Sequence, residues 1–299
     1  MKAPSFSLSI IISTKNRVRP LGELLESLRG VADIGAIRPE VIVADNDSSD
    51  GTYDVAVSTA KDFPTTIRVL KLVRPGKSAA INDAVKSATG DVLAFLDDDV
   101  VLDKTWLTAV VGFFRAGAFE AGQGSIRLQS PARDDTEIIK LLQRYRTIPR
   151  IDYPPNVKSL HSLNGANFFV SRNAFDRAGG FDERLGPGAS GTSEDVDFAR
   201  RLTCARIAIG YEPGAIVYHR VDRRRLTEEY FKQTHWRQGG SRYLFRRRGT
   251  ARILFNLAHA AAQYVFYTLI GNERKRYRNK GRIYHYLGMM ETKRNHEDR

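Results

Sequence analysis

The 299-residue chain is 42% hydrophobic and 27% charged, which is typical of a soluble globular protein with one large domain or a domain plus an appendage. Its single cysteine excludes an intramolecular disulfide and favours a reducing compartment. The net charge of +13 arises within residues 220–299, where 20 lysines and arginines face 7 acidic residues, so a neutral body carries a basic tail.

The first 100 residues alternate apolar runs with helical patterns. Short apolar runs bounded by turn formers predict four strands, at residues 7–14, 40–46, 67–73 and 91–97. The first run is too short for a targeting segment and lacks a small-residue cleavage site. Regularly spaced leucines after Pro20 predict a helix, and the alanine-rich stretch 78–90 predicts another that ends at Gly90. This alternation predicts a mostly parallel sheet covered by helices on both faces.

From residue 101 onward the alternation is less regular. Helical patterns cover 104–117 and 137–148, and strand-like patterns cover 122–128 and 162–172. A loop rich in glycine and serine at 186–193 then leads into a helical pattern that contains Cys204. We expect this lone thiol to be a buried filler rather than a reactive group.

Polar side chains stand where the predicted strands end. Thr14, Asp45 and Asp97 lie at the carboxyl ends of three apolar runs, and ligands of such sheets bind at that edge. Asp97 also begins a triplet with Asp98 and Asp99, whose adjacent carboxylates repel one another. A divalent ion of the Mg²⁺ or Mn²⁺ type, which usually also holds substrate phosphates, would offset that repulsion. The simpler alternative is a solvated turn after the strand.

Five motifs stand in one order along the chain: SIIISTKNR, VIVADNDSSDGT, GKSAAINDAVKSATGDVLAFLDDDV, NGANFFVSRNAFDRAGGFDE and SEDVDFARRL. Together they resemble the inverting family 2 glycosyltransferases of GT-A fold, over residues 7–220. The resemblance implies an enzyme that transfers a sugar from a nucleotide diphosphate donor to a hydroxyl group and inverts the anomeric centre. It also implies Mn²⁺ or Mg²⁺ as the cofactor.

The resemblance implies roles for individual residues. It assigns nucleotide binding to Thr14, Asn16, Asp45, Gly76, Asn82, Asp97 and Asp98. Asp45 resembles the carboxylate that accepts a hydrogen bond from the base, usually from uracil N3–H, so UDP is the favoured nucleotide. Asp99 resembles the metal ligand beneath the diphosphate, and His219 resembles a late histidine ligand of the same ion. The turn formers of DNDSSDG offer ordinary loop chemistry as the alternative, above all for Asp47 and Asp50.

The resemblance places the catalytic base in the pair Glu194 and Asp195, and we favour Asp195 as the group that deprotonates the acceptor hydroxyl. The glycine-rich loop before this pair would permit closure over bound donor. The structural alternative is a helix start capped by Ser193, since acidic residues in a first turn suit the helix dipole. A further four residues resemble the turn that lines the acceptor side in the family: Asn164, Gly165, Ala166 and Asn167. Of these, Asn167 is expected to hydrogen-bond the transferred sugar.

The tail begins with a segment that mixes aromatic residues with arginines. Gln233, Trp236 and Arg237 loosely resemble the Gln-x-x-Arg-Trp element of processive family members, in an altered order. The resemblance implies that Arg237 neutralises the diphosphate and that Trp236 stacks on an acceptor sugar.

Residues 252–271 are strongly apolar but are interrupted by Asn256, His259 and Gln263, so no clean run of about 20 apolar residues predicts a spanning helix. The basic flanks on both sides favour an interfacial helix that lies on anionic lipid. Packing on the catalytic domain or in a homodimer is the alternative. Nucleic-acid binding is disfavoured because no nucleic-acid module is recognised.

We therefore predict an α/β protein of GT-A type, with a mostly parallel central sheet flanked by helices and a basic helical C-terminal extension. The glycosyltransferase domain is predicted at 1–219, with a nucleotide-sugar half at 1–100 and an acceptor half at 101–219, and the extension at 220–299. The expected acceptor is a hydroxyl of a glycan, a lipid-linked molecule or a small molecule. The expected location is the cytoplasm, with peripheral attachment to the inner face of the membrane left open.

Two other functions stay open at this point. A sugar-phosphate nucleotidyltransferase also uses an α/β sheet, carboxylates and a divalent ion, but STKNRVRPLG lacks the glycine-rich triphosphate loop of that class. A non-catalytic membrane-docking protein is the second, and turnover of any sugar nucleotide would eliminate it.

Overall fold

The computed structural model of the protein describes residues 6–129, 135–154 and 156–297. The chain divides into two units: Met1–Gln129, Pro149–Glu183 and Glu194–Arg220 form the first, and Ser130–Ile148, Arg184–Ser193 and Val221–Arg299 form the second. The division after Arg220 coincides with the predicted boundary and with the onset of the basic tail. Residues 135–148 and 184–193, which lie in the predicted glycosyltransferase domain, group with the second unit. Residues 1–5 and 298–299 of the two predicted domains lie outside the described residues.

The described part of the first unit contains one sheet. Its strands are β1 (Leu8–Thr14), β2 (Glu40–Asp45), β3 (Ile67–Lys71), β4 (Val92–Asp97), β5 (Val100–Leu102), β6 (Ala121–Leu128), β7 (Ser159–Leu160), β8 (Asn167–Ser171) and β9 (Ile209–His219). The strand order is β3-β2-β1-β4-β8-β6-β9-β5, and β7 pairs with β9. The pairs from β3 to β4 are parallel, as is β6 with β9, whereas β8, β5 and β7 run antiparallel to their partners. This sheet agrees with the predicted one.

Helices occupy most of the remaining described chain. They are α1 (Val18–Arg29), α2 (Ile34–Ile37), α3 (Thr52–Ala60), α4 (Lys77–Ser87), α5 (Trp106–Arg115), α6 (Thr136–Tyr145), α7 (Arg172–Ala178), α8 (Glu194–Cys204), α9 (Glu228–Phe245), α10 (Thr250–Leu269) and α11 (Glu273–Glu297), with a 3₁₀ turn at Arg223–Arg225. Helices α6, α9, α10 and α11 belong to the second unit, and the others belong to the first.

Strand β1 shows why the central strands are continuous apolar runs. Ile10 and Ile12 pack in one hydrophobic cluster with Leu24 of α1, whereas Ile11 packs in a second cluster with Ile81 of α4. Alternate residues of a strand point to opposite faces of the sheet. Because both faces are covered, every residue of β1 is buried.

Three local expectations are wrong. Helix α4 ends at Ser87, and Gly90 instead lies against β1, where an added Cβ would come within 2.4 Å of the Ser9 Oγ. The strand expected at 162–172 begins only at Asn167, because the preceding residues form a turn. Cys204 is exposed at the end of α8 rather than buried.

Ring packing explains why α6 joins the second unit. The Tyr145 ring at its end lies 5.8 Å from the Phe231 ring of α9 and 5.7 Å from the Tyr277 ring of α11, measured between centroids. Similarly, the Ser190 and Ser241 hydroxyl oxygens lie 2.7 Å apart and join the glycine-rich loop to α9. Apolar and polar contacts of this kind could not be assigned from the spacing of the segments along the chain.

Helices α9 and α11 approach each other through glycines. A Cβ at Gly239 would lie 1.8 Å from the His285 carbonyl oxygen, and a Cβ at Gly288 would lie 2.1 Å from the Trp236 carbonyl oxygen. No side chain fits at either position, so the glycines set the separation of the two helices. Among the described residues, no helix is both long enough and apolar enough to span a membrane.

Candidate active site

The carboxyl ends of β1, β2 and β4 meet at one edge of the sheet. Thr14 is paired in register with Asp45, and the neighbouring Ser13 is paired with Asp97. Three of the predicted nucleotide-binding residues therefore lie side by side at the edge where ligands of parallel sheets bind.

Asp45 is wholly buried at this edge. Its Oδ2 accepts a hydrogen bond from the Ser48 backbone N–H at 3.1 Å, whereas its Oδ1 has no hydrogen-bond partner among the described residues. An unpartnered buried acceptor costs about 1–3 kcal/mol, and more when it is charged. A ligand N–H donor would satisfy the Asp45 Oδ1.

Backbone turns around Asp45 are held by two asparagines. The Asn46 side chain donates to the Arg74 carbonyl oxygen at 2.6 Å and accepts from the Gly76 backbone N–H at 3.2 Å. Gly76 has a φ of +109°, which L residues rarely adopt. Asn16, also at positive φ, accepts from the Ser49 backbone N–H at 2.8 Å. Asn46 was missed in the sequence, although it directly follows Asp45.

The Asn82 side chain has hydrogen-bond partners within the protein. Its amide donates to the Phe181 carbonyl oxygen at 2.9 Å and to the Glu183 carboxylate at 3.2 Å. Its carbonyl oxygen accepts from the Phe181 backbone N–H at 2.9 Å. These bonds join α4 to the 181–183 loop, and the nucleotide contact of Asn82 stays a prediction.

Each carboxylate of the triplet has a different neighbour. Asp97 Oδ1 lies 2.5 Å from Lys77 Nζ, and Asp98 Oδ2 accepts from the Thr14 hydroxyl at 2.7 Å. Asp99 Oδ1 lies 3.4 Å from His219 Nε2. Burial, together with repulsion from Asp99, raises the pKa of Asp98 to about 7. A nearby cation would therefore favour the ionised form of Asp98 and stabilise the triplet.

Asp99 and His219 fit a divalent ion. The His219 Nδ1 lies 2.7 Å from the Arg220 carbonyl oxygen, to which it donates, and the Nε2 atom of the ring faces Asp99. Two ligand atoms on an octahedral ion with bonds of about 2.1 Å lie roughly 3 Å apart. No cluster of three or more potential metal ligands of the His, Cys, Asp and Glu types is found in the described ranges. Phosphate oxygens and water would complete the shell, as is usual for Mg²⁺.

Lys77 connects the triplet to the second carboxylate group and was missed in the sequence, although it follows Gly76. In addition to Asp97, its Nζ contacts Glu194 Oε1 at 3.3 Å. Burial alone would lower the pKa of Lys77, but attraction to Asp97 and Glu194 outweighs burial and raises that pKa well above its usual range. Lys77 therefore stays charged inside the site.

Glu194 and Asp195 differ in their surroundings. Glu194 is buried beside Lys77, with 6% of its surface exposed, whereas Asp195 is half-buried. Asp195 Oδ2 accepts from the Gly165 backbone N–H at 2.9 Å. Burial and repulsion from Glu194 raise the pKa of Asp195 to about 7, against the opposing effect of Lys77. This pKa suits a general base that works near neutral pH.

The turn at 164–167 is only partly placed as predicted. Gly165 faces the site, since a Cβ there would lie 3.2 Å from Lys77 Nζ. Asn164 accepts from the Ala166 backbone N–H at 3.1 Å and shapes the turn, and Ala166 is wholly buried.

The side chain of Asn167 is hydrogen-bonded within the protein, and its contact with the transferred sugar stays a prediction. Asn167 is also wholly buried, and its amide accepts from the Trp106 indole N–H at 2.9 Å. It donates to the Ser125 and Ala215 carbonyl oxygens at 3.0 and 2.7 Å. Its hydrogen bonds therefore tie the sheet to α5.

Trp236 and Arg237 lie on α9 in the second unit. The Trp236 indole N–H donates to Glu291 of α11 at 2.6 Å. The Arg237 side chain lies over Gly191, where a Cβ would be 3.0 Å from its Cδ. Their contacts with the acceptor sugar and the diphosphate stay predictions.

The third acidic residue of the α8 motif, Asp197, forms ion pairs within its own helix. Asp197 is buried, and its carboxylate contacts Arg200 at 2.9 Å and Arg201 at 2.8 Å. This agrees with a structural role for Asp197, distinct from the pair that precedes it.

The sequence profile described as Glycosyl transferase family 2 matches residues 9–178 of this chain. The succinoglycan biosynthesis protein ExoM of Rhizobium meliloti is 28% identical over 279 residues, which cover 88% of this chain and 84% of that protein. The beta-monoglucosyldiacylglycerol synthase of Synechocystis sp. is 24% identical over 259 residues, which cover 81% of this chain and 49% of that protein, about half its length.

Solved structures share the fold. The mannosyltransferase PcManGT from Pyrobaculum calidifontis, in complex with GDP-Man and Mn²⁺, matches with a TM-score of 0.65 at 17% identity, over 97% of this chain and 87% of that chain. S. aureus TarS 1-349 in complex with UDP-GlcNAc matches with a TM-score of 0.56 at 15% identity, over 97% and 92% of the two chains.

Proposed function

The chain belongs to glycosyl transferase family 2 and has an α/β fold of GT-A type, and on this basis we propose that it transfers a sugar from UDP to an acceptor hydroxyl with inversion, assisted by Mn²⁺ or Mg²⁺. One observation carries the proposal: the unpartnered oxygen of Asp45 lies at the same sheet edge as the carboxylate triplet that begins at Asp97. A base with an N–H donor and a metal-bound diphosphate would satisfy both at once.

The donor half of the proposal concerns how the nucleotide is held. Asp45 would accept from the base, while Asp97 and Asp98 would lie on the ribose side. Asp99 and His219 would hold the ion, which when bound neutralises charge on the departing diphosphate. Guanine also presents an N–H donor, and the mannosyltransferase with a similar fold binds GDP-Man. The choice of UDP is therefore the part of the proposal that needs its own test.

The acceptor half concerns proton transfer. Asp195 would take the proton from the acceptor hydroxyl as the oxygen forms a bond to the anomeric carbon. In the same displacement, the bond between that carbon and the diphosphate oxygen breaks, and the diphosphate leaves with the electron pair. Lys77 would hold Glu194 and Asp97 in place beside the reacting centre. The names of the two relatives support a polysaccharide or lipid acceptor.

A calorimetric panel tests the donor half. UDP, GDP and dTDP are titrated into the intact protein, each with and without Mn²⁺. We expect UDP to bind tightest and only in the presence of Mn²⁺. Tighter binding of GDP or dTDP would replace UDP, and metal-independent binding would contradict the ion site. Analysis of the products separates the rival chemistry, because a nucleotidyltransferase would consume a nucleoside triphosphate and release pyrophosphate.

The same proposal extends to the location of the enzyme, in the cytoplasm and peripherally on the inner face of the membrane. Helix α10 leaves apolar side chains exposed at Leu254, Phe255, Val265, Phe266 and Leu269, with Phe255 72% and Leu269 80% exposed. At 100° per residue these five lie within about 120° of one another. The buried residues Ile253 and Ala260 lie on the opposite side.

Charge favours an anionic lipid surface as the occupant of this apolar face. Arg246, Arg247 and Arg248 precede the helix, and Arg274 and Lys275 follow it. Basic residues at both ends of an exposed apolar stripe are typical of helices that lie in the headgroup region of anionic membranes. A homodimer that covers the same face is the alternative outcome.

Vesicle sedimentation tests the membrane contact. In the double substitution Phe255→Ser and Phe266→Ser, we expect binding to phosphatidylglycerol vesicles to fall at least about tenfold, since burial of one phenylalanine contributes about 1.5–3 kcal/mol. High salt should weaken binding of the unaltered chain. Val73→Ser is the matched control, because Val73 is also exposed but lies outside the tail. Salt-insensitive or absent vesicle binding, together with a dimer by light scattering, would favour the homodimer.

A further inference from the structure

A basic cleft of about 570 Å³ lies within the helical unit. We call it the arginine cleft, and its described lining residues are Arg144, Tyr145, Arg146, Phe231, His235, Arg242, Arg248, Tyr277, Arg278, Gly281, Arg282, His285, Tyr286 and Met289. Its volume is that of a ligand site rather than of a packing defect. None of these residues belongs to the sugar-nucleotide site described above.

Six of the described lining residues of the cleft are arginines. No carboxylate is found among the described lining residues. Arg144 is paired with Glu273 at 2.8 Å, and Arg282 donates to the Asn279 amide oxygen at 3.1 Å. Arg242 Nε is buried without a hydrogen-bond partner in the part of the chain that the structure describes. A buried guanidinium N–H without an acceptor is destabilising. A ligand with an acceptor oxygen would therefore stabilise the cleft.

Positive charges in the cleft repel one another. Burial and repulsion from Arg246 and Arg248 lower the pKa of Arg242 from its usual value. Burial, with repulsion from Arg242, lowers the pKa of His285 to about 4. A neutral His285 at physiological pH can donate to an anion without adding to the repulsion. An anion in the cleft would relieve the crowding of positive charge.

One wall of the cleft is aromatic. The Phe231 ring lies 5.8 Å from both the Tyr145 and Tyr277 rings and 4.5 Å from the His235 ring, between centroids. The His235 ring in turn lies over Gly281, where a Cβ would be 2.6 Å from its Nε2. This wall excludes water from one side and strengthens the field of the arginines on the other.

We propose that the arginine cleft binds a phosphate or diphosphate group. Guanidinium groups match the geometry of phosphate oxygens and bind them through paired N–H donors. Arginines from α9, α11 and the segments after α6 and before α10 converge on one space, which gives several such donors to a single anion. The phosphate could belong to a soluble molecule or to a phospholipid headgroup, and the chemistry of the site is the same for both. This inference does not depend on the proposed sugar transfer.

Calorimetry with inorganic pyrophosphate tests the proposal on the intact chain. EDTA is included so that pyrophosphate cannot bind through a metal ion at Asp99. We expect measurable binding, weakened at least about tenfold by Arg242→Gln and by Arg278→Gln, the usual effect of losing a charged hydrogen bond. Arg278 is exposed, so its substitution leaves the fold intact even where Arg242→Gln does not.

Arg247→Gln is the matched control, because it removes the same charge from an exposed position outside the cleft. Equal losses in the control and the cleft variants would reduce the effect to net charge and overturn the site. Binding that is unchanged in both cleft variants would overturn it too.

Vesicles distinguish the two sources of phosphate. If a phospholipid headgroup occupies the cleft, Arg278→Gln should weaken binding to phosphatidylglycerol vesicles, and pyrophosphate should displace the unaltered chain from them. If the ligand is soluble, pyrophosphate should bind equally well with and without vesicles. If the ligand is soluble, vesicle binding should depend on the exposed apolar residues of α10 and not on Arg278.

Discussion

Replacing Asp195 with asparagine is expected to leave donor binding intact and to lower sugar transfer by roughly 10²–10⁴-fold, the usual contribution of a general base. The substitution keeps the shape of the side chain and its contact with the Gly165 N–H. It removes the capacity to take a proton and one of two acceptor oxygens, since Asp195 Oδ1 also accepts from the Val196 backbone N–H at 2.7 Å. Steady-state kinetics with the donor identified by the nucleotide panel, together with calorimetric donor binding, measure the two effects separately.

Glu194→Gln is the matched comparison one residue earlier. Neighbours on a helix diverge by about 100°, and Glu194 is buried against Lys77 rather than open to solvent. We expect Glu194→Gln to raise the KM for the acceptor and to lower kcat less than Asp195→Asn does. Collapse of turnover in Glu194→Gln with near-normal turnover in Asp195→Asn would reverse the assignment. Near-normal turnover in both would leave the motif as a helix start only.

The pH dependence of the same enzyme follows from the raised pKa of Asp195. A base must be deprotonated to act, so transfer should rise with pH and level off above the pKa of about 7. The unfolded carboxyl has a pKa of about 3.9, so the folded state binds the extra proton between these values and loses stability as pH rises through them. Asp195→Asn should therefore raise the melting temperature at pH 8 relative to the unaltered chain. That gain should disappear near pH 4.

Replacing Asp99 with alanine is expected to abolish Mn²⁺-dependent nucleotide binding. Together with His219, this carboxylate is the part of the site that fits a divalent ion. Its removal also relieves repulsion on Asp98, so the variant should be no less stable than the unaltered chain at neutral pH. Calorimetry with nucleotide and Mn²⁺, beside a thermal melt, checks both statements.

Two controls make the Asp99 result specific. Asp47→Asn removes a carboxylate from an exposed turn nearby and should leave binding unchanged. Asp45→Asn should weaken nucleotide binding but leave its dependence on Mn²⁺ unchanged, because its proposed contact is with the base. Mn²⁺-dependent binding that survives in Asp99→Ala would contradict the metal assignment.

Several features of this protein follow from the sequence alone. The apolar runs ending at Thr14, Asp45 and Asp97 predicted parallel strands with polar ends, because a strand buried on both faces has no polar position until it leaves the sheet. The charge shift near residue 220 lies close to the start of Val221–Arg299, the longest segment of the second unit. The family also followed from the motifs, since their order along the chain is itself sequence information.

Other features depend on contacts between distant segments, which no local pattern records. Lys77 reaches Glu194, and the side chain of Asn167 bonds to Trp106, because helices from different parts of the chain pack on one sheet. The arginine cleft likewise forms where arginines far apart in the sequence converge. Local propensity and periodicity determine which segments are strands and helices. Only tertiary packing decides which polar groups are satisfied inside the protein and which are left for a ligand.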